Sequence, residues 1–252
     1  MRFASLGSGS KGNATLVNKH GTYLLLDNGF SVKETELRLQ RLGLDAGQLT
    51  AILVTHEHGD HIRGVGPLAR KYGIPVWTSR GTASHVGLGK LPILQFIDVH
   101  DALELDDIEV QPFPVPHDAR EPCQFTFGDG AKRLGVLTDT GSTTAHIVEQ
   151  LSGCDALMLE CNHDVTMLAN SAYPESLKAR VGGRFGHLSN EQAAELLAQL
   201  DTRSLQHLVA AHLSEQNNTS ALARNALSDV LNCEADWIGV AQQQAGLDWR
   251  EI

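Results

Sequence analysis

Along the first third of the chain, apolar residues fall in short runs separated by turn-forming residues. Met1–Leu6, Thr15–Asn18 and Tyr23–Leu26 are spaced as strands joined by hairpin connections. Val32–Leu42 has helical spacing and ends at Gly43, and Ala51–Thr55 is an unbroken apolar run that predicts a buried strand. Ile62, Val65, Leu68, Ala69 and Tyr72 then recur at helical intervals until Gly73 stops them. Strands are predicted at Ile74–Thr78, Ile108–Val115, Cys123–Phe127, Leu134–Thr138, Ala156–Leu159 and Leu208–Ala211. Ser189-Asn190-Glu191-Gln192 reads as a capping box leading into Ala193–Leu200, and Asn218 or Thr219 caps a helix running to Leu231. Strand-rich stretches followed by helices, twice over, predict two sheets packed together with helices outside, an α/β sandwich rather than a regular parallel α/β fold. No repeat, low-complexity tract or linker interrupts the pattern, so one domain over residues 1–252 is expected.

Composition narrows the setting. The 42% hydrophobic content is that of a globular protein, and no run of 18 apolar residues is present to span a membrane. The first residues lack the apolar stretch of a secretory signal, so a cytoplasmic location is expected unless a leader was removed. Cys123, Cys154, Cys161 and Cys233 form no Cys-x-x-Cys pair and read as small hydrophobes in a reducing compartment, Cys161 beside a polar cluster. A formal charge of −10 argues against a surface coated for nucleic-acid binding. It does not exclude a nuclease, because bound metal ions bring positive charge to where a phosphate would sit. The twelve histidines exceed what this length needs, and that surplus calls for an explanation.

Part of it lies in His56-Glu57-His58-Gly59-Asp60-His61. His56 and His58 share one side of an extended segment, because side chains alternate along it. Gly59 lets the chain turn, and Asp60 and His61 open the next helix facing elsewhere. One loop thus offers two ligand pairs, suited to two metal ions of a kind that accept imidazole and carboxylate together: Zn, Mn or Fe. Further ligands must come from elsewhere. His117 follows Ile108–Val115, Asp139 closes Leu134–Thr138 and His212 closes Leu208–Ala211, each at the C-terminal end of an apolar strand.

His-x-His-x-Asp-His is the signature of the metallo-β-lactamase superfamily, and this chain resembles that superfamily in its downstream residues too. The resemblance implies an αββα sandwich of two mixed sheets flanked by helices. It also implies one metal on His56, His58 and His117, a second on Asp60, His61 and His212, and Asp139 bridging both. Asp27 matches the superfamily's early aspartate, which orients the metal loop. Ser5–Asn13, His117-Asp118-Ala119, Asn162-His163-Asp164, Gly186–Asn190 and His212–Asn218 are similar to the YycJ (WalJ) branch, which is associated with phosphodiester hydrolysis and 5′→3′ DNA exonuclease activity.

The chemistry so implied uses a metal-bridging hydroxide as nucleophile, with Asp60 orienting it or taking its proton. His163 and His187 resemble motif positions of the superfamily's tRNA-processing phosphodiesterases. His187 is the favoured general acid or phosphate contact, because Ser189 begins a helix whose N-terminus favours anions. Lys178, Arg180 and Arg184 form the densest basic cluster and read equally as a polynucleotide contact or a solvated helix face. Lys11 is a further candidate phosphate contact, in a Gly/Ser loop that is not a P-loop. Asp139 stands where secreted β-lactamases of the superfamily use cysteine, and the span from there to His212 is too short for the inserted domain of RNA 3′-end-processing nucleases. Antibiotic hydrolysis and tRNA 3′ maturation are thereby disfavoured, and the resemblance to the YycJ branch implies nucleic acid as the partner, DNA before RNA; no membrane is expected. The alternative is a hydrolase of a small cyclic phosphodiester or a glyoxalase-type thioester. His20, His85, His100, His146 and His207 fit no motif and read as structural or surface residues.

Overall fold

Alternation within buried strands sets the architecture. In β1 (Arg2–Gly7), Phe3 and Ala4 face opposite ways and neither is exposed to solvent; Leu24 and Leu25 repeat this in β3 (Thr22–Leu26). Strands buried on both faces need cover on both sides. The computed structural model, which describes all 252 residues, supplies it with two sheets face to face and helices on each outer surface.

The first sheet contains β1, β2 (Ala14–Lys19), β3, β4 (Ala51–Val54), β5 (Val76–Thr78) and β6 (Leu94–Phe96). The second contains β7 (Leu103–Leu105), β8 (Ile108–Pro114), β9 (Cys123–Gly128), β10 (Arg133–Leu137), β11 (Ala156–Glu160), β12 (His207–Ala211) and β13 (Gly239–Val240). The chain then returns as β14 (Leu247–Glu251), which pairs antiparallel with β1 and gives the orders β14-β1-β2-β3-β4-β5-β6 and β13-β12-β11-β10-β9-β8-β7. Each sheet changes from antiparallel to parallel pairing at an internal strand, β3 in the first and β10 in the second.

Phe3, Val17, Leu24 and Leu53 of the first sheet meet Phe125, Phe127, Val136 and Met158 of the second in the central core. The outer face of the first sheet packs Leu25, Ile52 and Val54 against Leu39 of α1 (Val32–Arg41) and, beyond the short α2 (Gly59–Ile62), Leu68 and Ala69 of α3 (Val65–Tyr72). The second sheet's outer face is covered differently. After α4 (Arg80–Ala83) come α5 (Ala145–Leu151), α6 (Val165–Asn170), α7 (Glu175–Val181), α8 (Asn190–Leu197) and α9 (Ser220–Leu231); Ile147, Leu196 and Leu227 of these pack on Leu137, Leu157 and Ala210. The four layers match the sandwich expected from the sequence.

Two local readings change. The single helix expected around residues 62–72 is two, because Gly64 donates to Asn28 O at 2.8 Å and lies too close to Phe30 O for a Cβ. The sequence reading also missed β6, β7, β13, β14 and the helices α4 to α7. These are short, and β6 and β14 lie at sheet edges where mixed polar composition hides strand character. The Ser189/Gln192 capping box is present at the start of α8, and Thr219 rather than Asn218 caps α9. No helix is long and apolar enough to cross a membrane. Cys123, Cys154 and Cys161 are buried and free; burial pushes the Cys161 thiol well up, as expected of a packing residue and not of a nucleophile.

Candidate metal centre and active-site cleft

The parallel strands of both sheets end at one edge of the sandwich, and the His/Asp residues picked out from the sequence gather there. β4 delivers Thr55 and His56, and His58 caps the short helix that carries Asp60 and His61. The backbone of this loop is fixed from outside: Asn13 N donates to Asp60 O at 2.8 Å and Asn28 N to His61 O at 2.7 Å. Gly29 makes that approach possible, since a Cβ there would lie 1.8 Å from Asp60 O.

Asp27, Asp139 and His212 follow β3, β10 and β12 and all have left-handed backbones, with φ of 59°, 54° and 54°. Such φ values are costly for residues other than glycine and concentrate where surrounding structure holds a site in place. Asp27 accepts from Thr55 N at 2.9 Å and Thr55 Oγ1 at 2.8 Å, and its Oδ2 lies 2.8 Å from His61 Nδ1. His61 therefore carries its proton on Nδ1 and turns Nε2 toward Asp139 Oδ2, 3.1 Å away. The Thr55 hydroxyl, having donated to Asp27, accepts from His56 Nδ1 at 2.9 Å, which leaves His56 Nε2 as a lone pair. His117 Nδ1 donates to Gly186 O at 3.0 Å, and its Nε2 lies 3.2 Å from His58 Nδ1. The Thr55 hydroxyl, Asp27 and the Gly186 carbonyl thus fix the rings of His56, His61 and His117, respectively, with one nitrogen each turned inward.

Asp139 stands between the groups. Its Oδ1 is 3.2 Å from His212 Nδ1 and 4.0 Å from His117 Nε2. Asp60 Oδ2 is 3.5 Å from His61 Nε2 and 3.6 Å from His212 Nε2. Sets of ligand atoms close enough to share one ion include His56/His58/His117, His56/His61/Asp139 and Asp60/His61/His212. His56 Nε2, His212 Nε2 and Asp139 Oδ2 are buried with no hydrogen-bond partner. Orphaned polar atoms of this kind are costly in a folded protein, and a divalent cation is the group that imidazole and carboxylate donors together would satisfy. The residues fit the metal that the sequence implied.

The electrostatics agree. Burial pushes the His56 and His117 imidazoles down, toward the neutral form that binds metal. Burial also opposes protonation of His61 and His212, but Asp139 and the neighbouring carboxylates outweigh it and raise both, His212 to about 10. Asp139 and Asp60 are held below the usual carboxylate range despite burial, by His212 and His61 for Asp139 and chiefly by His61 for Asp60.

A cleft of about 300 Å³ opens over the cluster, lined by His58, Asp60, Asp139, His187 and His212, with Asp118 and Arg180 also in its wall. His187 stands where the sequence reading favoured an acid, though its main partner is a residue that reading missed. Glu160, fully buried at the end of β11, lies 2.8 Å from His187 Nδ1 and 3.1 Å from His212 Nδ1, and it accepts from Thr140 N and Leu188 N. Burial opposes protonation of His187, and Glu160 outweighs it and raises the imidazole. The signal was present in the sequence: Glu160 closes an apolar strand, as Asp139 and His212 nearly do.

His163 is not brought to the cleft. Its ring lines a neighbouring cavity of about 570 Å³ with Leu168, Lys178 and Gln192, and its Nδ1 lies 3.4 Å from Asn162 Oδ1. The basic cluster is likewise dispersed. Lys178 is tied to Ala169 O and Glu175, Arg184 lies beside the Phe185 ring, and Arg180 alone reaches the cleft. Lys11 is exposed and paired with Glu215.

A family model described as a beta-lactamase superfamily domain matches residues 22–212. The chain is 40% identical over 245 residues to Exodeoxyribonuclease YycJ of Bacillus anthracis, covering 96% of this chain and 93% of that protein. It is 34% identical over 236 residues to Exodeoxyribonuclease WalJ of Streptococcus pneumoniae, covering 91% and 88%. In fold it resembles the metallo-beta-lactamase fold protein YhfI from Bacillus subtilis, with a TM-score of 0.76 at 16% identity over 100% of this chain and 98% of that one.

Proposed function

Because the chain belongs to the beta-lactamase superfamily, within it to the family of the YycJ and WalJ exodeoxyribonucleases, we propose that it is a metal-dependent exonuclease that removes nucleotides from DNA ends in the 5′→3′ direction. His56, His58 and His117 would hold one divalent metal ion, Asp60, His61 and His212 a second, and Asp139 both; Zn and Mn suit the donors best and Fe also fits. The observation that carries this reading is the convergence of buried, unpartnered His56 Nε2, His212 Nε2 and Asp139 Oδ2 under an open polar cleft. Ions held there supply Lewis-acid polarisation of phosphoryl oxygens and a water nucleophilic at neutral pH.

The chain's own residues do the rest. Asp60, only partly covered and unprotonated, stands at the cleft floor to orient the attacking water, whose loss of a proton bound metal ions would promote. His187 is held by Glu160 through Nδ1 with a raised pKa, which favours the doubly protonated ring with an N–H on Nε2. From there it protonates the leaving oxygen, and Glu160 stabilises the imidazolium beforehand. His163, outside the cleft, has no part in these proton transfers.

The test is to follow end-labelled duplex DNA, single-stranded DNA and RNA with metal-stripped protein restored with Mn²⁺ or Zn²⁺. Stepwise shortening of DNA from 5′ ends, absent in His58→Ala, is expected. Intact polymers alongside hydrolysis of a small phosphodiester would overturn the reading. The small-molecule alternative is not favoured, because the relatives matched over most of the chain are exodeoxyribonucleases.

A further inference from the structure

Arg180 is the only lysine or arginine in the wall of the cleft. In a protein of net charge −10, a fixed cation beside the cluster stands out against the acidic whole. Its environment is specific. Arg180 Nε donates to Asp118 Oδ2 at 2.7 Å, and neither terminal nitrogen of the guanidinium has a hydrogen-bond partner in the protein. Asp118 therefore occupies one edge of the fork and leaves the two terminal amino groups free. That pair is the one that grips two oxygens of a phosphate.

Asp118 is itself tied to the metal-binding region. Its Oδ1 lies 3.5 Å from His117 Nε2 and 3.7 Å from His58 Nε2, and its backbone N donates to Phe185 O at 3.0 Å. Beside it His117 Nδ1 donates to Gly186 O, and His187 N donates to Val181 O at 2.8 Å. Gly186 permits the tight return of the chain, since a Cβ there would lie 2.2 Å from Arg180 O and from Val181 O. The end of α7, the His187 segment and the His117-Asp118 strand exit are thus bolted together, so the Arg180 backbone is held at a fixed offset from the cluster, and Asp118 alone steers its exposed side chain.

We propose that Arg180 is the cleft's reader of a second phosphate, one along the strand from the phosphate being cleaved, and that Asp118 is the positioning residue that aims it. This rests on the nuclease reading and deepens it: the Asp118 carboxylate lies between Arg180 and the His58/His117 imidazoles, and a cation so separated from the cluster prefers a substrate with consecutive phosphodiesters over one with a single phosphate. The contact is electrostatic and independent of base identity.

The experiment compares Mn²⁺-loaded wild type, Arg180→Ala, Asp118→Ala, the double variant and Arg203→Ala, a control in an exposed pair with Asp201 away from the cleft. The substrates are a single-stranded oligonucleotide and bis(p-nitrophenyl) phosphate, with KM and kcat measured across a salt series and metal content measured for each protein. Arg180→Ala is expected to raise KM for DNA far more than kcat falls and to lower the preference for DNA over the small diester at least about tenfold, the scale of a lost charge-assisted contact. The slope of log(1/KM) against log salt should become shallower by roughly 0.7, one phosphate contact to a single strand. Asp118→Ala should move KM the same way by less, with full metal content, and the double variant should match Arg180→Ala alone because the two act as one unit. Equal losses on both substrates, or effects that multiply in the double variant, would overturn the proposal. Loss of metal from Asp118→Ala would reassign Asp118 to metal holding and overturn its positioning role. If wild type cleaves no DNA at all, the nuclease reading has failed; if it does and Arg180→Ala keeps the same preference, only this inference has.

Discussion

Glu160 Oε1 lies 2.8 Å from His187 Nδ1 and 3.1 Å from His212 Nδ1, so one buried carboxylate serves both the candidate acid and a candidate metal ligand. Its other oxygen is held by the backbone N–H groups of Thr140 and Leu188, which fixes the carboxylate between the two rings. His187→Ala should lower kcat on DNA by about 10²–10⁴, the usual contribution of a positioned acid, with metal content unchanged. Glu160→Gln should lower kcat as well and shift the alkaline limb of the pH profile to lower pH, because the imidazolium loses its counter-charge. Steady-state rates across pH together with metal analysis check both.

Asp27 should matter for metal affinity more than for the chemical step. It fixes His61 through Nδ1 and the metal loop through Thr55. Removing a carboxylate that orients a metal-binding imidazole typically costs 10–100-fold in affinity, so Asp27→Asn should weaken metal binding by about that factor. Competition with a chromogenic chelator measures it, and excess metal should restore most activity. Loss of activity with metal affinity unchanged would show that Asp27 acts otherwise.

Metal uptake should release protons. His61 and His212 have raised pKa values in the metal-free protein, His212 to about 10, and a metal must displace those protons. Affinity should therefore rise with pH through the neutral range and fall in acid. Calorimetric titration in buffers of different ionisation enthalpy reads the number released, and a pH-independent affinity would contradict the protonation pattern.

Away from the site, Asp129 predicts an acid-labile contribution to stability. Its side chain is 2% exposed and pairs with Lys19 at 2.6 Å and with the Met1 amino group at 3.3 Å. Burial works to raise its carboxyl, and the Lys19 and backbone hydrogen bonds outweigh it and hold it well down. The folded pKa lies below the unfolded value of about 3.9. The stabilisation is thus complete above that pH and lost as pH falls below it. Asp129→Asn should lower the melting temperature at pH 7 and narrow its difference from wild type toward pH 3.

Gly29→Ala tests whether the metal loop depends on close backbone packing. The added Cβ would meet Asp60 O, a backbone atom that cannot swing aside. A destabilisation of about 1–3 kcal/mol or more is expected, with weaker metal binding, read by denaturant unfolding and chelator competition.

The sequence by itself determined the loop His56–His61, the strand-end positions of His117, Asp139 and His212, and the four-layer class of the fold. These were legible because apolar period and motif spacing are local, and a strand buried on both faces reads as an apolar run wherever it lies in the chain. The edge strands were not: β14 reaches β1 from the other end of the chain, and its short mixed sequence carries little periodic signal. Nor could spacing tell His163 from His187. Each histidine flanks a strand or a helix cap, and which one faces the cluster depends on how α7 and the return through Gly186 pack on His117. The three neighbouring basic residues looked alike for the same reason, and only tertiary packing gave Lys178 to Glu175 and Arg180 to Asp118. Glu160 is the clearest case: its place at the end of an apolar strand is visible in the sequence, but what it does there is not. Its role arises from burial between two imidazoles and two backbone donors that lie far apart in sequence.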